Sequence, residues 1–226
     1  MDLLESAVLN NVEWCALVAR RGGAADVSRD VWLVAGRPPA LFPDAVTLRA
    51  AVSADELVDL LSSRGSCSVK DSYADVDLEP HGFRELFSAR WIALTVPRAL
   101  PRPTGWSPLT EPTELVAWCA AADLPDPLPA GILEYPSVRV LAVRRKGRLT
   151  AGAVVISSGA VVGISNMFQI DEDARLVWGE VAAVVGQLFP SLPVVGYEHG
   201  ADLDAALAAS FTDLGPLRVW LRSAAP

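Results

Sequence analysis

Apolar positions along the chain follow two rhythms, and their succession sketches the elements. Helical spacing runs through residues 2–20, 53–63, 111–122 and 171–188. In the last of these Val177, Val181, Val184, Val185 and Leu188 share one face, and Asp171, Glu172 and Asp173 suit the positive end of its dipole. Ser53 with Glu56 reads as a capping box. Alternating or β-branched runs predict strands at 31–35, 45–48, 66–70, 91–95, 138–144, 151–156, 160–166, 193–197 and 217–222. A short helix is expected before residue 91, with His81 at its end, and another at 202–210. Lys146-Gly147 and Ser157-Ser158-Gly159 are turn signals. The uncharged stretch 149–170 is long enough to span a bilayer, but its polar centre makes it a buried β-hairpin instead.

Four prolines, Pro97, Pro101, Pro103 and Pro108, deny both helix and ladder hydrogen bonds. Residues 97–108 therefore read as a Pro-rich linker between halves 1–96 and 109–226. The halves echo each other in order: VEWCA at 12–16 recurs as VAWCA at 116–120, and Phe83, Leu86 and Arg90 match Phe211, Leu214 and Arg218. Such collinear matches point to a tandem repeat, the second half being longer by one antiparallel hairpin. Trp14, Trp91, Trp118 and Trp220 lie inside the repeated segments and are expected in cores.

With 226 residues, 51% of them hydrophobic, the chain has ample material for folded cores. Nineteen Lys and Arg against 27 Asp and Glu give a net charge of −8, which argues against a nucleic-acid partner. Cys15, Cys67 and Cys119 stand far apart and only two histidines exist, so no metal site is expected. Unpaired thiols and an acidic start without a signal-peptide pattern fit a cytoplasmic protein with no membrane partner. The sequence does not set the oligomeric state.

The second half runs helix, antiparallel meander, helix, strand, helix, strand. Its segments VVGISNMF (161–168) and VVGYEHGADLDAALAASFTDLGPLRVWL (194–221) resemble the fourth strand and the closing strand–helix–strand of the GNAT acyltransferase superfamily. The resemblance implies an α+β protein: a tandem GNAT-like mixed sheet flanked by helices, with residues 109–226 the more complete half and 1–96 a degenerate one. It also implies a function, transfer of an acyl group from acetyl-CoA or another acyl-CoA to an amine of a small molecule or protein. The pantetheine edge would then be Asn166, Met167, Phe168 and Gln169. Arg175 would be the charged contact for the pyrophosphate, in a loop where Leu176 and Trp178 replace the family's glycines. The family's tyrosine acid falls on Ala206, which passes proton handling to Tyr197, His199 or Glu134.

Each candidate also has a plainer reading. Tyr197-Glu198-His199 sets an imidazole beside a carboxylate, a pairing suited to acid–base work, yet polar residues are common at a strand-to-helix turn. Ser165 and Asn166 are placed to touch an acyl carbonyl or to form a β-bulge. Glu134 is a base for an amine or a solvated loop carboxylate, and Arg144 to Arg148 is a solvated hairpin tip. The alternative function is a GNAT-fold binding protein that has lost the pyrophosphate loop and the chemistry. A further reading, transfer from an aminoacyl-tRNA, conflicts with the acidic charge.

Overall fold

A computed structural model describes residues 2–19, 26–27, 30–95 and 103–223. The architecture is α+β, with mixed sheets and five α-helices among the described residues. The chain divides into two compact units, Met1–Arg90 with Gly215–Pro226, and Trp91–Leu214. This differs from the expected division at 97–108. The last strand, β11 (Thr212–Arg222), carries residues from Gly215 onward into the first unit, and strand β5 (Arg84–Leu94) delivers its end to the second. Within the expected linker, Trp106–Pro108 forms strand β6, while 97–102 lies outside the described residues.

In the first unit the strands are β1 (Asp26–Val27), β2 (Val31–Leu33), β3 (Ala45–Thr47) and β4 (Cys67–Asp71). β1–β2, β2–β3 and β4–β11 pair antiparallel; β3–β4 pair parallel. Neighbouring strand residues point to opposite faces. Val31 and Ala45 accordingly meet Leu57 and Leu61 at helix α2 (Ala54–Leu60), whereas Trp32 and Val46 meet Cys15 and Ala19 of helix α1 (Leu3–Ala19). Ser53 does precede α2, but its side chain makes no cap hydrogen bond, so the expected capping box does not form. His81 ends a 3-10 turn, Glu79–His81, closed by Gly82 at φ 80°.

The second unit holds helix α3 (Pro112–Ala121), β7 (Val138–Arg145), β8 (Arg148–Ser158), β9 (Val161–Gln169), α4 (Ala174–Leu188), β10 (Val194–Glu198) and α5 (Gly200–Ala208). β6 to β9 form an antiparallel meander, and β9 pairs parallel with β10. The stretch 149–170 is thus the expected hairpin, and no described helix is long and apolar enough to cross a membrane. Ala153, Val155, Val162 and Ile164 face a core with Trp178, Val181 and Val185 of α4 and Ala205 and Ala206 of α5. Gly152 faces the other way. A Cβ there would sit 2.2 Å from Trp118 Nε1 of α3, whose indole N–H donates to the Leu141 carbonyl (2.9 Å). Trp14, Trp91, Trp118 and Trp220 are all buried, as are the three cysteines.

Candidate functional site

Parallel pairs occur in both units, β3–β4 in the first and β9–β10 in the second, and they end differently. In the first unit the β3–β4 pair ends at Lys70, which is buried with its ammonium held by Asn11 Oδ1 (2.7 Å). Asp71 follows, fully buried, its carboxyl taking the N–H groups of Tyr73 and Val76; burial pushes its pKa up. That end is filled by its own side chains.

In the second unit β9 and β10 share only two ladder rows, Val162 with Val194 and Gly163 with Val195. Both strands continue, β9 to Gln169 and β10 to Glu198, with no further row between them. Gly196 marks the parting point, where an added Cβ would lie 3.0 Å from the Ile164 carbonyl. Beyond it no ladder row joins the two strands, and this parting is the β9–β10 gap.

A bulge shapes the β9 side of that gap. Gly152 pairs with Phe168 and Val154 with Ser165, so Asn166 and Met167 together oppose Ala153 alone. Asn166 takes φ 49°, a left-handed conformation that asparagine tolerates better than most residues. The extra residue turns backbone N–H groups out of register with β8, which is what a bulge does beside a functional site. Of the two readings the sequence left open for Ser165-Asn166, the bulge is the one realised. Phe168 is fixed edge-on against Trp118, with ring centroids 5.2 Å apart.

The β10 side carries the titratable groups. Tyr197 is half-buried and packs edge-on against Trp91 (5.4 Å). His199 is exposed and is the N-cap residue of α5, without a side-chain cap bond. Between them Glu198 is half-buried, and its pKa is pushed up to about 8. Desolvation is the larger cause, the nearby Asp202 carboxylate adds to it, and the His199 N–H offsets part. Gln169, at the end of β9, donates from Nε2 to Asp202 Oδ1 (3.1 Å), tying the β9 end to α5. The structure therefore brings Gln169, Tyr197, Glu198, His199 and Asp202 to one end of the β9–β10 gap.

The start of α4 closes the same end of β9. Asp171, Glu172 and Asp173 precede the helix instead of forming its first turn. The Asp173 carboxylate caps it, accepting the Arg175 N–H (2.9 Å). Glu172 pairs with Arg145 (2.9 Å), which also binds Glu180 (2.7 Å). Arg145 is thus not part of a solvated hairpin tip; it is spent on the acids beside α4. Arg175 is exposed on the first turn. The residues fit an acyl-CoA in part: the open β9 edge suits an extended arm bearing amides, but a helix start already occupied by a carboxylate does not suit the phosphates.

Glu134 is not brought to this cluster. It ends a 3-10 turn, Ala130–Glu134, and is exposed. Val138 is level with Ile156, and Ile156 with Gly163, so β7 begins at the ladder rows, and Gln169 lies six residues further along β9. The residue that sequence reasoning used only as a neighbour is Glu198. Its signal was position, a carboxylate at the last residue of a strand beside the strand parting; its burial was not visible in the sequence.

No family model and no curated protein matches the chain. Solved structures do. A GCN5-related N-acetyltransferase from Kribbella flavida matches with TM-score 0.68 at 12% identity, over 100% of this chain and 97% of that one. A functionally unknown conserved protein from Staphylococcus epidermidis matches with TM-score 0.65 at 10% identity, over 88% and 93%. A GCN5-related N-acetyltransferase from Sphaerobacter thermophilus matches with TM-score 0.57 at 12% identity, over 100% and 95%. The fold is that of the GNAT N-acetyltransferases, as the strand and helix order implied.

Proposed function

We propose that the second unit transfers an acyl group from a thioester, acetyl-CoA or a related donor, to the amine of a small molecule or protein. The observation that carries this reading is the two-row β9–β10 ladder, which parts beside a bulge in β9, with Glu198, its pKa pushed up to about 8, at the end of β10. A thioester arm lying along β9 from Ile164 to Gln169 would pair its amides with the strand edge. Backbone N–H groups at Asn166 to Phe168 would polarise the thioester carbonyl as it becomes tetrahedral. Glu198 would take the proton from the ammonium of the acceptor, because a base with a pKa near 8 is matched to that task. Tyr197 and His199 flank it and would position the acceptor and return a proton to the departing thiolate.

Thiol release from acetyl-CoA, followed in the presence of a panel of amines, tests this. The reading expects release that depends on the amine and that falls about a hundredfold or more in Glu198→Gln. Release that is absent with every amine, or unchanged in the variant, removes it. One observation favours the alternative, a binding protein without chemistry: Asp173 fills the helix start where phosphates would sit. In that case donor and amine give no thiol at all.

A further inference from the structure

We propose that the donor site recognises the uncharged arm of the thioester and makes no use of the nucleotide of a coenzyme A. This deepens the acyl-transfer reading and rests on it. A helix start attracts phosphate because its first N–H groups have no partners and the dipole favours negative charge. At α4 a carboxylate already takes one of these donors: Asp173 accepts the Arg175 N–H at 2.9 Å. Its charge stands at the positive end of the helix, where a phosphate would need to sit.

The surroundings repeat the message. Asp171 and Glu172 lie immediately before the cap. Arg145, the nearby guanidinium, is divided between Glu172 at 2.9 Å and Glu180 at 2.7 Å, and the Trp106 indole N–H fixes Glu180 at 2.7 Å. Glycines that would ease close approach of a ligand to the backbone are missing as well: Leu176 carries a full side chain, 66% exposed, on the first turn. Gly179 offers no cradle, since an added Cβ there meets nothing within 4 Å. At the end of β9, Asp202 adds a further carboxylate, which accepts from Gln169 Nε2 at 3.1 Å. By contrast β9 from Ile164 to Gln169 spans about 17 Å of strand, enough for an extended amide-bearing arm. The polar recognition available is backbone pairing, and at the helix start the exposed Arg175 is outnumbered by Asp171, Glu172 and Asp173.

Calorimetric titration of the full chain with acetyl-pantetheine and with acetyl-CoA tests this. The two dissociation constants are expected to agree within about threefold. In Asp173→Asn, which keeps the cap and removes its charge, acetyl-CoA is expected to bind several-fold tighter while acetyl-pantetheine is unchanged. Acetyl-CoA binding about 30-fold or more tighter than acetyl-pantetheine in the unmodified protein overturns the proposal while leaving acyl transfer intact. An Asp173→Asn variant without gain for acetyl-CoA removes Asp173 as the excluding group and overturns it equally. If neither thioester binds, the acyl-transfer reading fails and this proposal fails with it.

Discussion

Replacing Glu198 by glutamine separates its electrostatics from its shape. In the folded protein its pKa is raised from 4.5 to about 8, by burial first and by Asp202 second. A carboxyl whose folded pKa lies above its unfolded value favours folding fully below the unfolded pKa and loses that advantage as pH rises through the folded pKa. Wild-type stability should therefore fall between about pH 4.5 and 8, as the buried group is forced to ionise. One pKa unit corresponds to about 1.4 kcal/mol, so the full shift sets a ceiling of about 5 kcal/mol. Glu198 is only half-buried, and solvent screening reduces the expected effect to about 2 kcal/mol. Glutamine has the shape of the protonated acid and no titration. Chemical denaturation of both proteins from pH 4 to 9 should give equal stabilities at the acid end and a variant more stable by about 2 kcal/mol at the alkaline end. In the same range wild-type thiol release should rise through about pH 8 and the residual rate of the variant should not. A stability difference independent of pH would refute the argument, because it would show that Glu198 is not held protonated by the fold.

Gly152→Ala places a Cβ 2.2 Å from the Trp118 indole, which cannot retreat without breaking its bond to the Leu141 carbonyl. A loss of about 3 kcal/mol is expected in denaturant unfolding, and a variant as stable as wild type would contradict that packing. Arg145→Ala strands Glu172 and Glu180 beside α4; a cost of about 1 kcal/mol at low salt, vanishing near 1 M salt, should appear in thermal melts. Cys15, Cys67 and Cys119 are buried, and desolvation raises the pKa of each thiol, so thiol reagents should label none in the native protein and three after unfolding. Rapid native labelling of any of them would show that its segment opens.

The elements with strong local signals were legible before the structure. Val177, Val181 and Val185 give α4 its buried face, and Lys146 and Gly147, at φ 52° and 78°, make the tight hairpin turn. The matched VEWCA and VAWCA segments fall in α1 and α3; of the later matches Leu86 and Arg90 fall in β5 and Leu214 and Arg218 in β11, with Phe83 and Phe211 just before those strands. Less local facts were hidden. The first part of β5, from Arg84, is largely exposed and shows no apolar alternation, so the sequence pattern marks a strand only at 91–95. β6 lies in a Pro-rich segment, yet Pro108 is compatible with a strand paired on one side only. Arg145 reads as a turn residue until Glu180, 35 residues later, is placed beside it. For the candidate site the sequence supplied Tyr197, His199 and the β9 residues. Burial of Glu198 and capping by Asp173 depend on packing that no local pattern encodes.

The central claim is that the β9–β10 gap holds the acyl donor, and amide hydrogen exchange with and without saturating acetyl-pantetheine tests it most directly. The account predicts slowed exchange in peptides covering 164–169 and 196–199, with the α4 start at 174–177 unaltered. Protection concentrated at 174–177, with none along 164–169, would contradict it.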